Sequence, residues 1–153
     1  MNNATAWARI GTAAPCTANP RTTAMFTYRT RVAMHETDAE GMVYFGNYFH
    51  FAEEAECAAL ASVGLNIADS PYCLPRVHVE CDYRAPLHFY EEVTVETRII
   101  TVGNSSVTWE FRVLGPAGLC AVITVISSRR HRADGSAAPY TAAERELLLS
   151  LNA

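Results

Sequence analysis

Lysine is absent from this 153-residue chain: its twelve basic residues are all arginine, against sixteen acidic ones, for a formal charge of −4. The arginines are scattered except for one cluster near the C-terminus, so the basic stripe that holds nucleic acid is missing and nucleic acid is excluded as a partner. Long apolar runs are missing too, and nothing reaches the roughly 20 residues of a membrane-crossing helix. The first 24 residues, rich in Ala, Thr, Asn and Pro, lack the continuous apolar core of a secretion signal and show no periodicity. They are expected to form a mobile arm over residues 1–24, ahead of a single domain over residues 25–153.

The five cysteines, at positions 16, 57, 73, 81 and 120, form no Cys-x-x-Cys pair and are odd in number. That argues against a zinc site and against a complete disulfide framework, and it predicts a reducing, cytoplasmic setting. No His-Asn pattern singles out one of them as a nucleophile. The chain also lacks a Gly-x-Ser-x-Gly elbow, a Gly-x-Gly-x-x-Gly turn, a phosphate loop and a His-Glu-x-x-His pair. Serine-hydrolase, dinucleotide, nucleotide and zinc-protease chemistries therefore have no support. His78, Glu80 and Asp82 share one strand face, which is read as a polar face rather than a metal site.

What is present is half hydrophobic and long enough to bury a core. "FTYRTRVAM", Phe26 to Met34, alternates β-branched and aromatic residues with Arg29 and Arg31, which predicts a strand with one wet face. Tyr48, Phe51 or Ala52, Ala55, Ala59 and Val63 recur at helical spacing, predicting a helix over about 44–62 that Gly64 ends. Four more strands follow. Two can be registered: with a turn centred on Asn104, Ile99 faces Trp109, Val95 faces Val113, and Glu96–Arg112 and Arg98–Glu110 pair with opposite sign. A shift of one residue would set apolar against charged side chains. The last strand, Leu119 to Ile126, is apolar on both faces, so its outer face is expected to be covered by a second subunit. Thr141 with Glu144 three residues on predicts a short C-terminal helix.

Strand, long helix and four antiparallel strands give an α+β pattern in which a five-stranded antiparallel sheet wraps one long central helix, the order of the hotdog fold. The segment "TDAEGMVYFGNYFHFAEEA", Thr37 to Ala55, resembles the active-site segment of the 4-hydroxybenzoyl-CoA thioesterase family, and "CDYRAPLHFYEEVTVETRI", Cys81 to Ile99, resembles that family's Asp-Tyr, Pro and acidic pattern. The resemblance implies an acyl-thioesterase acting on an acyl-CoA or acyl-carrier-protein thioester without metal or redox cofactor. It also implies a homo-oligomer, dimer or tetramer, with sites at the subunit boundary.

On this resemblance the catalytic carboxylate maps to Asp38, which would attack the carbonyl or activate water. An Asp in an Asp-Ala-Glu-Gly turn is also an ordinary turn-former. The resemblance further assigns the backbone amide of Phe45, seven positions after the acid, as oxyanion donor, with Gly41 shaping the turn. No Ser, Thr, Asp or Asn lies between Gly41 and Gly46 to cap the helix, so its first amides are open to a substrate oxygen or to water. Tyr44, Tyr48 and Phe49 are candidates to line an acyl pocket or the core. Arg129, Arg130 and Arg132 of "SSRRHR" are candidates for coenzyme A phosphates or a carrier protein, or form a solvated strand exit. Two other readings stand beside this one. A hotdog dehydratase or hydratase would have to recruit His78 or His50 with Glu54, and a non-catalytic thioester-binding protein would use the same fold.

Overall fold

The computed structural model describes residues 25–153; the expected arm lies outside them. Strand β1 (Phe26–Arg31) leads through a single 3-10 turn at Met34–Glu36 and a loop into helix α1 (Asn47–Ser62). Then come β2 (Tyr72–Cys73), β3 (Arg76–Tyr83), β4 (Glu92–Val102), β5 (Ser106–Gly115), β6 (Gly118–Ser128), β7 (Arg130–His131) and helix α2 (Ala142–Ser150). The main sheet is antiparallel, in the order β1-β4-β5-β6-β3. The five long strands and the single long helix are those the sequence predicts.

Residue size explains how the helix fits the sheet. On its buried face α1 carries Phe51, Ala52, Ala55 and Ala59, while the sheet offers Trp109, Phe111 and Ile123. Large side chains on the sheet meet small ones on the helix, so the helix axis can lie close to the strands at normal packing density. Trp109 and Phe111 stack with ring centroids 5.9 Å apart. The β4–β5 register is the predicted one: Val95 lies opposite Val113, Ile99 opposite Trp109, Glu96 opposite Arg112 and Arg98 opposite Glu110. The Arg98–Glu110 ion pair closes at 2.9 Å. Helix α2 has its capping box, with Thr141 Oγ1 accepting from the Glu144 amide and the Glu144 carboxylate accepting from the Thr141 amide.

Three boundaries differ from expectation. Helix α1 begins at Asn47 rather than near 44, because Tyr44 still donates its amide to the Glu36 carbonyl at 2.9 Å and Val43 donates to the Leu87 carbonyl at 2.8 Å. A backbone tied to neighbouring chain on both sides cannot yet turn helical. Strand β1 ends at Arg31, and the 3-10 turn takes up Met34. The β2–β7 ladder was not foreseen, since two residues carry no periodicity.

The outer face of β6 is also less bare than its sequence suggests. Val122 lies between Arg112 and Asp82, and Thr124 between Glu110 and Glu80, in the flanking strands. Val122, Thr124 and Ile126 are half-buried. The uncovered surface lies at β3 instead. Among the described residues this edge strand pairs only with β6, and Val77 and Val79 are 61% and 43% exposed.

Candidate active site

The loop before α1 is built around Asp38. Its Oδ1 accepts from the Glu40 amide at 2.9 Å and the Met42 amide at 3.3 Å, while its own amide donates to the Met42 carbonyl at 2.7 Å. Gly41 closes the turn at φ +80°, a conformation that a Cβ would strain. Asp38 is thus a turn-former through one oxygen. Its other oxygen, Oδ2, takes no hydrogen bond among the described residues, and the residue as a whole is exposed. The turn-forming and chemical readings of this carboxylate are compatible, because they use different atoms.

Bridges between Thr37 and Val43, and between the Glu36 carbonyl and the Tyr44 amide, lay the two arms of this loop side by side. They bring Asp38, Gly41, Tyr44 and Phe45 into one segment. The chain then turns, with the Asn47 amide donating to the Tyr44 carbonyl and Phe49 to the Gly46 carbonyl. Gly46 caps the helix without any side-chain hydrogen bond, as the missing Ser or Thr implies. The amides of Phe45 and Gly46 meet no acceptor among the described residues. These donors sit at the positive end of the helix, where negative charge is favoured.

Several residues that hold this geometry have no obvious mark in the sequence. Asn47, in a position from which it could cap, instead reaches back with its side-chain amide to the Glu36 carbonyl at 2.7 Å. Glu36 is 5% exposed, and its carboxylate accepts from the Ala33 amide. Tyr83, at the end of β3, donates its hydroxyl to the Phe45 carbonyl at 2.8 Å and so fixes the peptide that follows. Burial pushes the Tyr83 phenol above its ordinary range, which keeps that donor protonated.

The expected acyl-lining aromatics divide. Tyr44 is 47% exposed and its ring lies 4.4 Å from that of Phe45, centroid to centroid. Phe49 faces a cavity of about 380 Å³ between α1 and the sheet. Tyr48 is a strut rather than a pocket wall: it is 3% exposed and accepts from the Leu87 amide at 3.2 Å. Burial raises its phenol to about 12, partly offset by that amide.

The three arginines of the cluster are engaged within the fold to different degrees, Arg129 buried, Arg130 half-buried and Arg132 exposed. Arg129 is 5% exposed, ion-paired with Glu144 at 2.6 Å and held between the rings of Tyr72 and Tyr140. Arg130 donates to Ser128 Oγ, and Arg132 donates to the carbonyl of Ser70. They are also distant from the loop. Ser127 pairs with Arg76 at the start of β3, whereas Tyr83 at its end meets Phe45. An eight-residue strand separates the two ends, about 23 Å at 3.3 Å per residue.

The cavity itself carries an ion pair between a buried carboxylate and a more exposed guanidinium. Glu56 of α1 is 1% exposed and accepts from Arg76 of β3, Oε1 to Nη1 at 2.8 Å and Oε2 to Nη2 at 2.5 Å. Burial raises the Glu56 carboxyl, and the guanidinium pulls it back down. Elsewhere His50 and Glu54 lie 3.5 Å apart on one exposed side of α1, with the Tyr28 hydroxyl donating to Glu54. His78 and Glu80 are both exposed on β3.

One long helix wrapped by a five-stranded antiparallel sheet defines the hotdog fold. The Thioesterase superfamily profile matches residues 40–121, more than half of the chain and beginning just after Asp38. The chain belongs to that superfamily and is a thioester hydrolase. Among curated proteins it is similar to 1,4-dihydroxy-2-naphthoyl-CoA hydrolase of Trichodesmium erythraeum, 32% identical over 92 residues that cover 58% of this chain and 67% of that one. Among solved structures, a hypothetical protein from Aquifex aeolicus superposes with a TM-score of 0.75 at 25% identity, covering 80% of this chain and 98% of the other. A 1,4-dihydroxy-2-naphthoyl-CoA thioesterase from Synechocystis shares the fold with a TM-score of 0.74 at 24% identity, covering 84% and 98%. No described helix is long and apolar enough to cross a membrane.

Proposed function

We propose that the chain hydrolyses an acyl-CoA thioester to a free acid and coenzyme A, with Asp38 as the reacting carboxylate and the Phe45 and Gly46 amides as the oxyanion site. The observation that carries this reading is the pair of unsatisfied amides at an uncapped helix start, in one loop with a carboxylate that has one oxygen free. The thioester carbonyl oxygen takes both amides. Asp38 then removes a proton from water as the water adds to the carbonyl carbon, or adds directly to form an anhydride that water opens. In either case the thiolate leaves and is protonated. The Trichodesmium relative named for a CoA hydrolase supports coenzyme A as the leaving group.

The test is release of coenzyme A from benzoyl, phenylacetyl, short-chain and long-chain acyl-CoA. The exposed Cys57 and the half-buried Cys73 and Cys81 would react with a thiol dye, so product is read chromatographically. Turnover of at least one ester is expected. No turnover of any of them would overturn coenzyme A as the carrier and move the assay to acyl carrier proteins.

The proposal includes a second copy of the chain. The β3 edge is eight residues long, unpaired on one side among the described residues and apolar at Val77, Val79 and Tyr83, which suits strand-to-strand pairing with the same edge of another subunit. Such pairing would also close the open side of the cavity beside Val79. Light scattering is expected to give at least twice the 16.8 kDa chain mass; a monomer at micromolar concentration would refute it.

A further inference from the structure

We propose that Tyr83 is a positioning residue for the hydrolysis: its hydroxyl, bonded to the Phe45 carbonyl, aims the Gly46 amide at the oxyanion and strengthens it as a donor. This rests on the thioesterase reading above and on its oxyanion site. It adds a residue from β3 that acts through the backbone rather than on the substrate.

The two amides of that site belong to two successive peptide planes. A trans peptide is rigid, with its N–H and C=O pointing opposite ways, so whatever holds the carbonyl oxygen also fixes the direction of the N–H on the same plane. The Phe45 amide shares its plane with the Tyr44 carbonyl, which accepts from the Asn47 amide at 2.8 Å. The Gly46 amide shares its plane with the Phe45 carbonyl, and there the backbone supplies no donor among the described residues. The Phe49 amide, which α-helical spacing would give to Phe45, goes to the Gly46 carbonyl at 3.2 Å instead. The Phe45 carbonyl accepts from the Tyr83 hydroxyl, at 2.8 Å. One oxyanion donor is thus anchored by main chain, which substitution cannot remove, and the other by a side chain, which it can.

Gly46 makes the second anchor matter. A residue without a Cβ leaves the adjoining planes free to rock, and no side-chain cap steadies this turn. Tyr83 is held firmly enough to supply what the glycine lacks. Its backbone lies opposite Ala121 in the β3–β6 ladder, and its ring meets that of Tyr48 edge-on, with centroids 5.2 Å apart and planes at 83°. Tyr48 is the buried strut already described. A hydrogen bond to the carbonyl also polarises the peptide, leaving more positive charge on its N–H, so the two bonds strengthen each other. Tyr83 is 45% exposed, and water competes for the same carbonyl. The expected effect of losing the hydroxyl is therefore that of a donor left poorly aimed, smaller than the effect of deleting one.

Tyr83→Phe keeps the ring against Tyr48 and removes only the hydroxyl, and two readouts follow it. Phe45–Gly46 is the only Phe-Gly step in the chain, so protein carrying NMR-active carbon at its Phe carbonyls and NMR-active nitrogen at its glycines gives one carbonyl–amide correlation, from the peptide in question. In the variant both the carbonyl carbon and the amide nitrogen of that peak are expected to move upfield. With the best CoA ester of the panel above, kcat is expected to fall about tenfold while KM stays within about twofold, because the oxyanion exists only in the transition state. The same spectrum reports how much of the variant is folded, so a partly unfolded protein is not mistaken for a slow one. A peak that stays in place would show that Tyr83 does not hold this peptide. A moved peak with unchanged kcat would show that the held amide does not serve the oxyanion, and a rise in KM that accounts for the whole loss would reduce Tyr83 to a support for the loop. Each of these overturns the inference while leaving the enzyme a thioesterase. No turnover of any CoA ester by wild type would instead remove the CoA thioesterase reading, and this inference with it.

Discussion

Replacing Asp38 by Asn is expected to lower kcat by about 10²–10⁴ while leaving the melting temperature within a degree or two of wild type. On the proposed reading the two effects separate, because the turn and the chemistry would use different atoms of the residue. Oδ1 accepts the Glu40 and Met42 amides, and Asn presents a carbonyl oxygen of the same reach at that position. Oδ2 accepts no hydrogen bond among the described residues, and there Asn presents an amide that can neither take a proton from water nor add to a carbonyl. Asp38→Ala removes both oxygens, so it should lose the turn as well and melt lower than Asp38→Asn. A purified Asp38→Asn protein that turns over at the wild-type rate would show that the carboxylate does no chemistry.

Such a site is partly visible in sequence because absence can be read there. The lack of Ser, Thr, Asp and Asn between Gly41 and Gly46 implied open amides, and the helix start has no side-chain cap. Periodicity carried the fold equally far: alternating charge along 92–102 and 106–115 fixed which residues of β4 and β5 face each other, down to both ion pairs. These inferences work because they depend on neighbours along the chain or on one hairpin.

Contacts that cross the fold left no such pattern. Nothing near Asn47 signals that its side chain will serve the Glu36 carbonyl, nor near Tyr83 that it will hold the Phe45 carbonyl, 38 residues away. Tyr48 was legible as aromatic and at helical spacing, but its role as a strut depends on the Leu87 amide. The arginine cluster shows the same limit. Three arginines near one another look like a phosphate site until the partners of each are known, and those come from the 66–70 loop, the β2–β7 ladder and α2.

Arg129 consequently supports a stability prediction rather than a binding one. Its Nε donates to the Ala138 carbonyl at 3.0 Å, Nη2 reaches the Pro139 carbonyl and Glu144, and its plane lies 4.2 Å and 4.0 Å from the centroids of Tyr72 and Tyr140. One side chain thus joins β7, the segment after it and α2 to the body of the domain. Arg129→Met keeps the stem but leaves two carbonyls and a carboxylate without their donor, an expected loss of about 3–5 kcal/mol. That corresponds to a fall of roughly ten degrees or more in melting temperature. Arg130→Met gives up a single hydrogen bond to Ser128 and should cost about 1 kcal/mol or less. Acid supplies an independent check. Its hydrogen bonds with Arg129 lead the effects that hold the Glu144 carboxyl down at about 2, below its ordinary 4.5, so the folded chain binds fewer protons there than the unfolded one. This contribution is fully present above pH 4.5 and is lost as pH falls to about 2. The gap between wild type and Arg129→Met should therefore narrow across that window in denaturant titrations. If the gap is constant from pH 5 to pH 2, or if Arg129→Met melts with wild type, the ion pair contributes nothing to holding α2 in place.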